Sequence, residues 1–128
     1  HSIEHIPFVA NYPVFVALDG GKPIAKNWQR YFPMTQLLLE CHRVLKPGGT
    51  MDILTICAFG PHGTDPRCVE DPTHQSIWTL DTIRHFVGER HSAVGDRNDK
   101  MAGLWVPFQL VVSELTSDKL LHIVLRKP

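Results

Sequence analysis

Residues 40–56, reading ECHRVLKPGGTMDILTI, limit this chain more than any other stretch. Residues 40–45 read as the closing turns of an amphipathic helix. Lys46-Pro47-Gly48-Gly49 then stops it. The proline ring disfavours helical geometry at Lys46, and the two glycines accept backbone angles that a Cβ resists. Thr50–Ile56 continues as a nearly unbroken apolar run, the pattern of a buried strand. A helix, a tight glycine turn and a buried strand in succession make half of an α/β unit.

The flanking sequence extends this unit on both sides. Pro33 suits the first turn of a helix, where its missing N–H costs nothing. Met34, Leu37, Leu38, Cys41, Val44 and Leu45 then form one apolar stripe at helical period. Further upstream, residues 14–18 (VFVAL) are β-prone, Asp19-Gly20-Gly21 is a turn signal, and residues 22–25 read as the returning strand. Residues 27–31 read as a preliminary turn before the helix. Downstream, residues 58–77 form a long loop rich in glycine and proline, a length that usually accompanies function or mobility. Thr79 reads as a helix N-cap, with Asp81 in the first turn. Leu80, Ile83, Phe86 and Val87 give that helix its apolar face, and it ends near Gly88. Residues 89–103 are polar and read as exposed. Residues 108–114 alternate as a half-buried strand, Thr116-Ser117-Asp118 makes a turn, and residues 120–125 (LLHIVL) are the last strand. Two closing strands on a short turn imply an antiparallel hairpin.

A chain of 128 residues makes at most one domain, here 1–128. Lysine plus arginine equals aspartate plus glutamate at 13 each, which argues against an electrostatic binder of nucleic acid. No apolar run is long enough for a transmembrane helix, and the opening residues do not read as a secretory leader. Cys41, Cys57 and Cys68 are too few, and odd in number, for a disulfide framework; they point to a reducing, cytoplasmic setting.

The motif E-x-x-R-V-L-K-P-G-G with its apolar strand resembles the segment leading into the fifth strand of class I S-adenosylmethionine-dependent methyltransferases. Residues 1–7 (HSIEHIP) resemble the lip that follows the family's fourth strand. Asp71-Pro72-Thr73-His74 with the following TLDTIRHF resembles the loop and helix after the fifth strand. The last two strands resemble the antiparallel pair that closes the sheet. The resemblance implies a partial, Rossmann-like α/β methyltransferase fold: a three-stranded mixed sheet, an antiparallel C-terminal hairpin and flanking helices. It implies that the chain opens just past the fourth strand, that Thr50–Ile56 lies beside the final strand with one edge bare, and that this edge drives homo-oligomer formation. The implied activity is methyl transfer from S-adenosylmethionine to a small-molecule acceptor, with neither nucleic acid nor membrane as partner. The glycine-rich turn and acidic residue that would hold most of the cofactor are not in this chain, because Gly20-Gly21 and Gly48-Gly49 do not sit between a first strand and a first helix.

Residue by residue, the resemblance puts His1 and Ser2 beside the methionine part of the cofactor. It puts Glu4 and His5 at the catalytic lip, where an imidazole that titrates near neutrality suits a general base. The plainer reading is that both residues orient the loop by hydrogen bonds. His62, His74 and Trp78 are the candidates for contact with the acceptor. Cys57, His62, Cys68 and His74, as C-x4-H-x5-C-x5-H, offer four zinc-compatible ligands. Their spacing is looser than that of zinc modules, and Cys57 reads more simply as a small buried hydrophobe, so no metal ligand is assigned. Trp28, Trp78 and Trp105 read as core or cover residues, with pocket lining as the alternative. His42, His85 and His91 read as solvated surface residues. Non-catalytic readings remain: an interaction module built on the same half-fold, or a small zinc-binding domain.

Overall fold

The computed structural model describes residues 3–60, 63–89 and 104–128. A 3-10 turn at Ile3–His5 opens it, closed by the Ile6 N–H donating to the Ile3 carbonyl at 3.1 Å. Strands β1 (Ala10–Asp19) and β2 (Lys22–Tyr31) form a hairpin longer than the sequence suggests, and β2 takes up residues 27–31, expected as a turn. Gly20 and Gly21, at φ 55° and 82°, make the two-residue connection whose twist matches the strands.

Helix α1 (Pro33–Val44) begins with Pro33 in its first turn, as expected. Met34 and Leu38 are fully buried and Leu37 packs against the core, whereas Val44 is mostly exposed. The Lys46-Pro47-Gly48-Gly49 turn follows, with Gly48 at φ 83°. A Cβ on Gly49 would come within 2.9 Å of the Lys46 carbonyl oxygen, so glycine is required there. The turn is clamped from the far end of the chain. Gly48 N–H donates to the Lys127 carbonyl at 2.7 Å, and Lys127 N–H donates to the Gly49 carbonyl at 2.9 Å. Lys127 Nζ donates to the His42 and Leu45 carbonyls at 2.8 and 2.9 Å, placing a cation at the helix C-terminus.

Strand β3 (Thr50–Ile56) leads to a two-residue strand pair, β4 (Phe59–Gly60) and β5 (Gly63–Thr64), then to the short helices α2 (Arg67–Glu70) and α3 (Thr82–Phe86). The stretch expected as one long loop therefore carries structure of its own. α3 starts later than expected: Asp81 takes the N-cap position expected for Thr79, and Thr79 lies in the turn before it, its carbonyl accepting the Thr82 N–H at 3.2 Å. Strands β6 (Gln109–Leu115) and β7 (Leu120–Arg126) close the chain as an antiparallel hairpin, with Lys119 at φ 63° in its turn.

The fold is mixed α/β, and the main sheet has the order β3-β7-β6. The sequence reading calls for a mixed sheet. Here both neighbouring pairs are antiparallel, because β7 takes the centre and runs against the strand on either side. Leu121, Ile123 and Leu125 of β7 are fully buried and alternate with half-buried Leu120, His122 and Val124, as one covered face demands. Opposite them on β3 lie Thr55, Ile53 and Met51. Met34 and Leu38 of α1, Ile83 and Phe86 of α3, and Trp78 complete this core.

β3 is not the fully buried strand that its composition suggests. Its burial alternates, with Leu54 about half exposed, because the described residues cover one of its faces. Among the described residues, no helix is long and apolar enough to cross a membrane.

Candidate functional site

The 3-10 turn and the loop after α2 are stitched together although about seventy residues separate them, a distance seen in their bonded pairs. The Glu4 carbonyl accepts the N–H groups of Gln75 and Ser76 at 2.8 and 3.1 Å. The side chain of Glu4 points inward and is 5% exposed. Its Oε2 accepts a hydrogen bond from the Thr55 hydroxyl of β3 at 3.0 Å. A carboxylate so removed from water needs such partners.

Two imidazoles face the other carboxylate oxygen. Nε2 of His5 and Nε2 of His74 each lie 4.0 Å from Glu4 Oε1. The two rings meet edge to face with centroids 4.8 Å apart. His74 is almost buried and His5 is 40% exposed, so the cluster opens to solvent on the His5 side. Its other ring nitrogen holds each imidazole in place. His5 Nδ1 contacts the Thr73 carbonyl and hydroxyl at 3.2 and 3.0 Å, and His74 Nδ1 contacts the Cys68 carbonyl at 3.2 Å.

Asp71 shapes the loop that delivers His74. Its Oδ1 accepts from the N–H and the hydroxyl of Thr73 at 2.9 and 2.6 Å, which is an Asx turn. The Thr73 hydroxyl, with the Thr73 N–H, holds the Asp71 carboxyl below the usual carboxylate range. Asp71 Oδ2 lies 3.6 Å from His74 Nε2. Among the described residues, Glu4, His5 and His74 are the group of histidine, cysteine and acidic side chains whose ligand atoms converge, all within 4.8 Å of one another.

Of the residues singled out in the sequence, Glu4, His5 and His74 therefore share one site. His1, Ser2, His62 and His91 lie outside the described residues. Trp78 is fully buried, its Nε1–H donating to the Ser76 hydroxyl at 3.1 Å and its ring packed on Phe8 and Phe86. It belongs to the core behind the site and does not reach an acceptor from there. Trp105 is 37% exposed and lies over Gly88; the side chain of Trp28 is outside the described part. His42 is half-buried against Phe108, not solvated.

The cysteine-histidine loop divides. Cys57 is buried and its thiol donates to the Phe59 carbonyl at 3.1 Å. Burial, with Asp65 and Cys57 near by, pushes the Cys68 thiol up. Neither cysteine joins the cluster that His74 enters. Sequence reasoning missed Thr55, Asp71 and Thr73. A lone threonine inside an apolar strand, and an aspartate two residues before a threonine, were the available signals.

A groove of about 450 Å³ lies against β3, which among the described strands pairs on one edge only, and is lined by Ile3, Ile6, Leu37, Met51, Ile53 and Leu54, with Asp52 as its carboxylate. S-adenosylmethionine carries an amino-acid head and a ribose. Apart from Asp52 the described lining is apolar, and one carboxylate does not serve both groups, so these residues alone do not fit that cofactor. No family model matches the chain, and neither a curated protein nor a solved structure matches it.

Proposed function

We propose that this chain is the C-terminal part of a class I S-adenosylmethionine-dependent methyltransferase domain, and that the whole domain methylates a small-molecule acceptor. The observation that carries the proposal is the sheet order: the last strand, β7, lies between β3 and β6 and runs against both. The resemblance calls for this hairpin and for β3 beside the final strand. HSIEHIP, which resembles the active-site lip, and DPTH, which resembles the loop after the fifth strand, also meet at Glu4, His5 and His74.

In this reading the cofactor, when bound, supplies an activated methyl group, held by residues outside those described. The residues on this chain serve the acceptor. Alignment of a nucleophile supplies most of what a transfer of this kind needs. His5, the exposed member of the cluster, takes the acceptor's proton at Nε2. Glu4 and His74 hold that imidazole's surroundings in place.

Isothermal titration with S-adenosylmethionine of the protein at the full length its gene encodes tests the proposal, since residues 1–128 alone are not expected to hold the cofactor. Saturable binding near one site per full-length polypeptide supports it, and absence of binding there removes it. One observation favours a second reading, a non-catalytic module: the β3 edge that no described strand pairs, and the apolar groove against β3, suit a docked strand. The same titration separates the two.

A further inference from the structure

The Glu4, His5 and His74 cluster has an electrostatic imbalance that its hydrogen bonds do not resolve. The Thr73 hydroxyl spends its hydrogen on Asp71 Oδ1 at 2.6 Å, so both Thr73 oxygens near His5 Nδ1 are acceptors. His5 Nδ1 must therefore carry the ring hydrogen. The Cys68 carbonyl also only accepts, so His74 Nδ1 carries the hydrogen of that ring. In both neutral imidazoles Nε2 is then left with a lone pair. Each Nε2 stands 4.0 Å from Glu4 Oε1, beyond hydrogen-bond reach. Three electron-pair donors face a common point around a carboxylate that is almost removed from water.

We propose that Glu4, His5 and His74 bind a divalent transition-metal ion, zinc by the donor set, with the fourth position left to solvent on the exposed His5 side. Asp71 Oδ2, 3.6 Å from His74 Nε2, stands beside the cluster and not among its converging atoms. Tetrahedral zinc, with bonds of about 2.0–2.1 Å, holds its donors about 3.4 Å apart. The three donor atoms, 4.0 Å apart at each carboxylate–imidazole contact and all within 4.8 Å, close on such an ion through side-chain shifts. The outer shell is already that of a metal site. Both imidazoles pass Nδ1–H to backbone carbonyls, and Glu4 Oε2 is fixed by Thr55. Two nitrogen donors disfavour magnesium, which prefers oxygen ligands in an octahedron. The ion would lock the 3-10 turn at Ile3–His5 to the loop carrying Asp71 and His74. The proposal does not depend on the methyltransferase reading, and the proton-accepting role given to His5 Nε2 there belongs to the metal-free protein, since a bound ion takes that lone pair.

The rival is a protonated imidazole that supplies the positive charge itself, in which case no metal binds. The experiment is calorimetric titration of EDTA-dialysed intact protein with zinc, manganese and magnesium chlorides, without S-adenosylmethionine, and metal counting by mass spectrometry after desalting. The expected result is one zinc per chain, weaker manganese and no magnesium binding. His5→Ala and Glu4→Gln should each weaken zinc binding roughly tenfold or more, with circular dichroism to check folding. His122→Ala is the control: its imidazole lies 3.9 and 3.8 Å from Asp52 and Glu114, and the variant should bind zinc as the wild type does. If Glu4→Gln does not fold, the half-exposed His5 position decides alone. Absence of zinc uptake by the wild type overturns the proposal. So does uptake that survives His5→Ala, an equal loss in His122→Ala, or a preference for magnesium. Because the cofactor is left out, this result and the cofactor titration can fail separately.

Discussion

Thr55 and Glu4 are joined by a 3.0 Å hydrogen bond that spans 51 positions and ties the 3-10 turn to the buried face of β3. Thr55 is itself fully buried. Replacing it with valine keeps the shape of the side chain and removes the donor, leaving Glu4 Oε2 unpaired away from water. The expected cost is about 1–3 kcal/mol, the usual penalty for an orphaned buried acceptor. Urea unfolding measures it as a lowered midpoint with an unchanged slope. An unchanged midpoint would show that Glu4 is held by its backbone contacts alone.

Lys127 acts on the opposite end of the sheet. Its ammonium group serves two carbonyls at the end of α1, while its backbone pairs with the Gly48-Gly49 turn. Lys127→Met keeps the aliphatic stem and loses both side-chain bonds and the favourable charge. The expected destabilisation is about 1–2 kcal/mol. Gly49→Ala, which drives a Cβ to 2.9 Å from the Lys46 carbonyl oxygen, should destabilise the chain as well, and hydrogen exchange at the end of α1 should rise in both variants.

These two contacts show which parts of the fold could be read from the sequence. The helix at Pro33, the K-P-G-G stop and the closing hairpin were legible because each is set by residues a few positions apart: a ring that fixes φ, glycines that accept positive φ, and alternation along a strand. The composition of β3 reads as buried on both faces, but apolar content does not say how many faces are covered. Leu54 is exposed because the described residues do not cover its face of β3. The site was half legible. Glu4, His5 and His74 stood out individually, yet their convergence depends on a loop that folds back through Asp71, Thr73 and two backbone N–H groups on the Glu4 carbonyl. Of the two readings the sequence leaves for Trp78, core residue or acceptor contact, its position is that of a core residue, with its indole N–H satisfied by the Ser76 hydroxyl two residues away.

Acid should loosen the loop after β5 before it unfolds the sheet. The Arg67 guanidinium holds the Asp65 carboxyl below its usual range, aided by the Arg67 backbone N–H. A folded pKa below the unfolded one means stability that is present above the unfolded value, about 3.9, and is lost as pH falls through the folded value. Asp65→Asn should flatten this part of the acid dependence by lowering stability at pH 6 by the same small amount, small because the pair is near the surface and screened by water. Paired urea titrations at pH 3 and pH 6 check it. An identical acid response in wild type and variant would assign the loss to other carboxylates.

The edge of β3 that no described strand pairs leads to a prediction about assembly. The other edge pairs with β7, and the apolar groove lined by Ile3, Ile6, Leu37 and Met51 lies against the strand. Unpaired strand edges recruit other strands, and natural proteins block them with charge, lysine above all. A second copy offers an identical edge, and two such edges pair antiparallel about a twofold axis. The protein should therefore self-associate through β3. Leu54→Lys, which places a charge beside the groove at a residue 48% exposed, should shift it toward monomer without lowering its unfolding midpoint. Sedimentation velocity over a hundredfold range of concentration measures the shift. A wild-type protein that sediments as a monomer throughout would mean that the edge is covered in some other way.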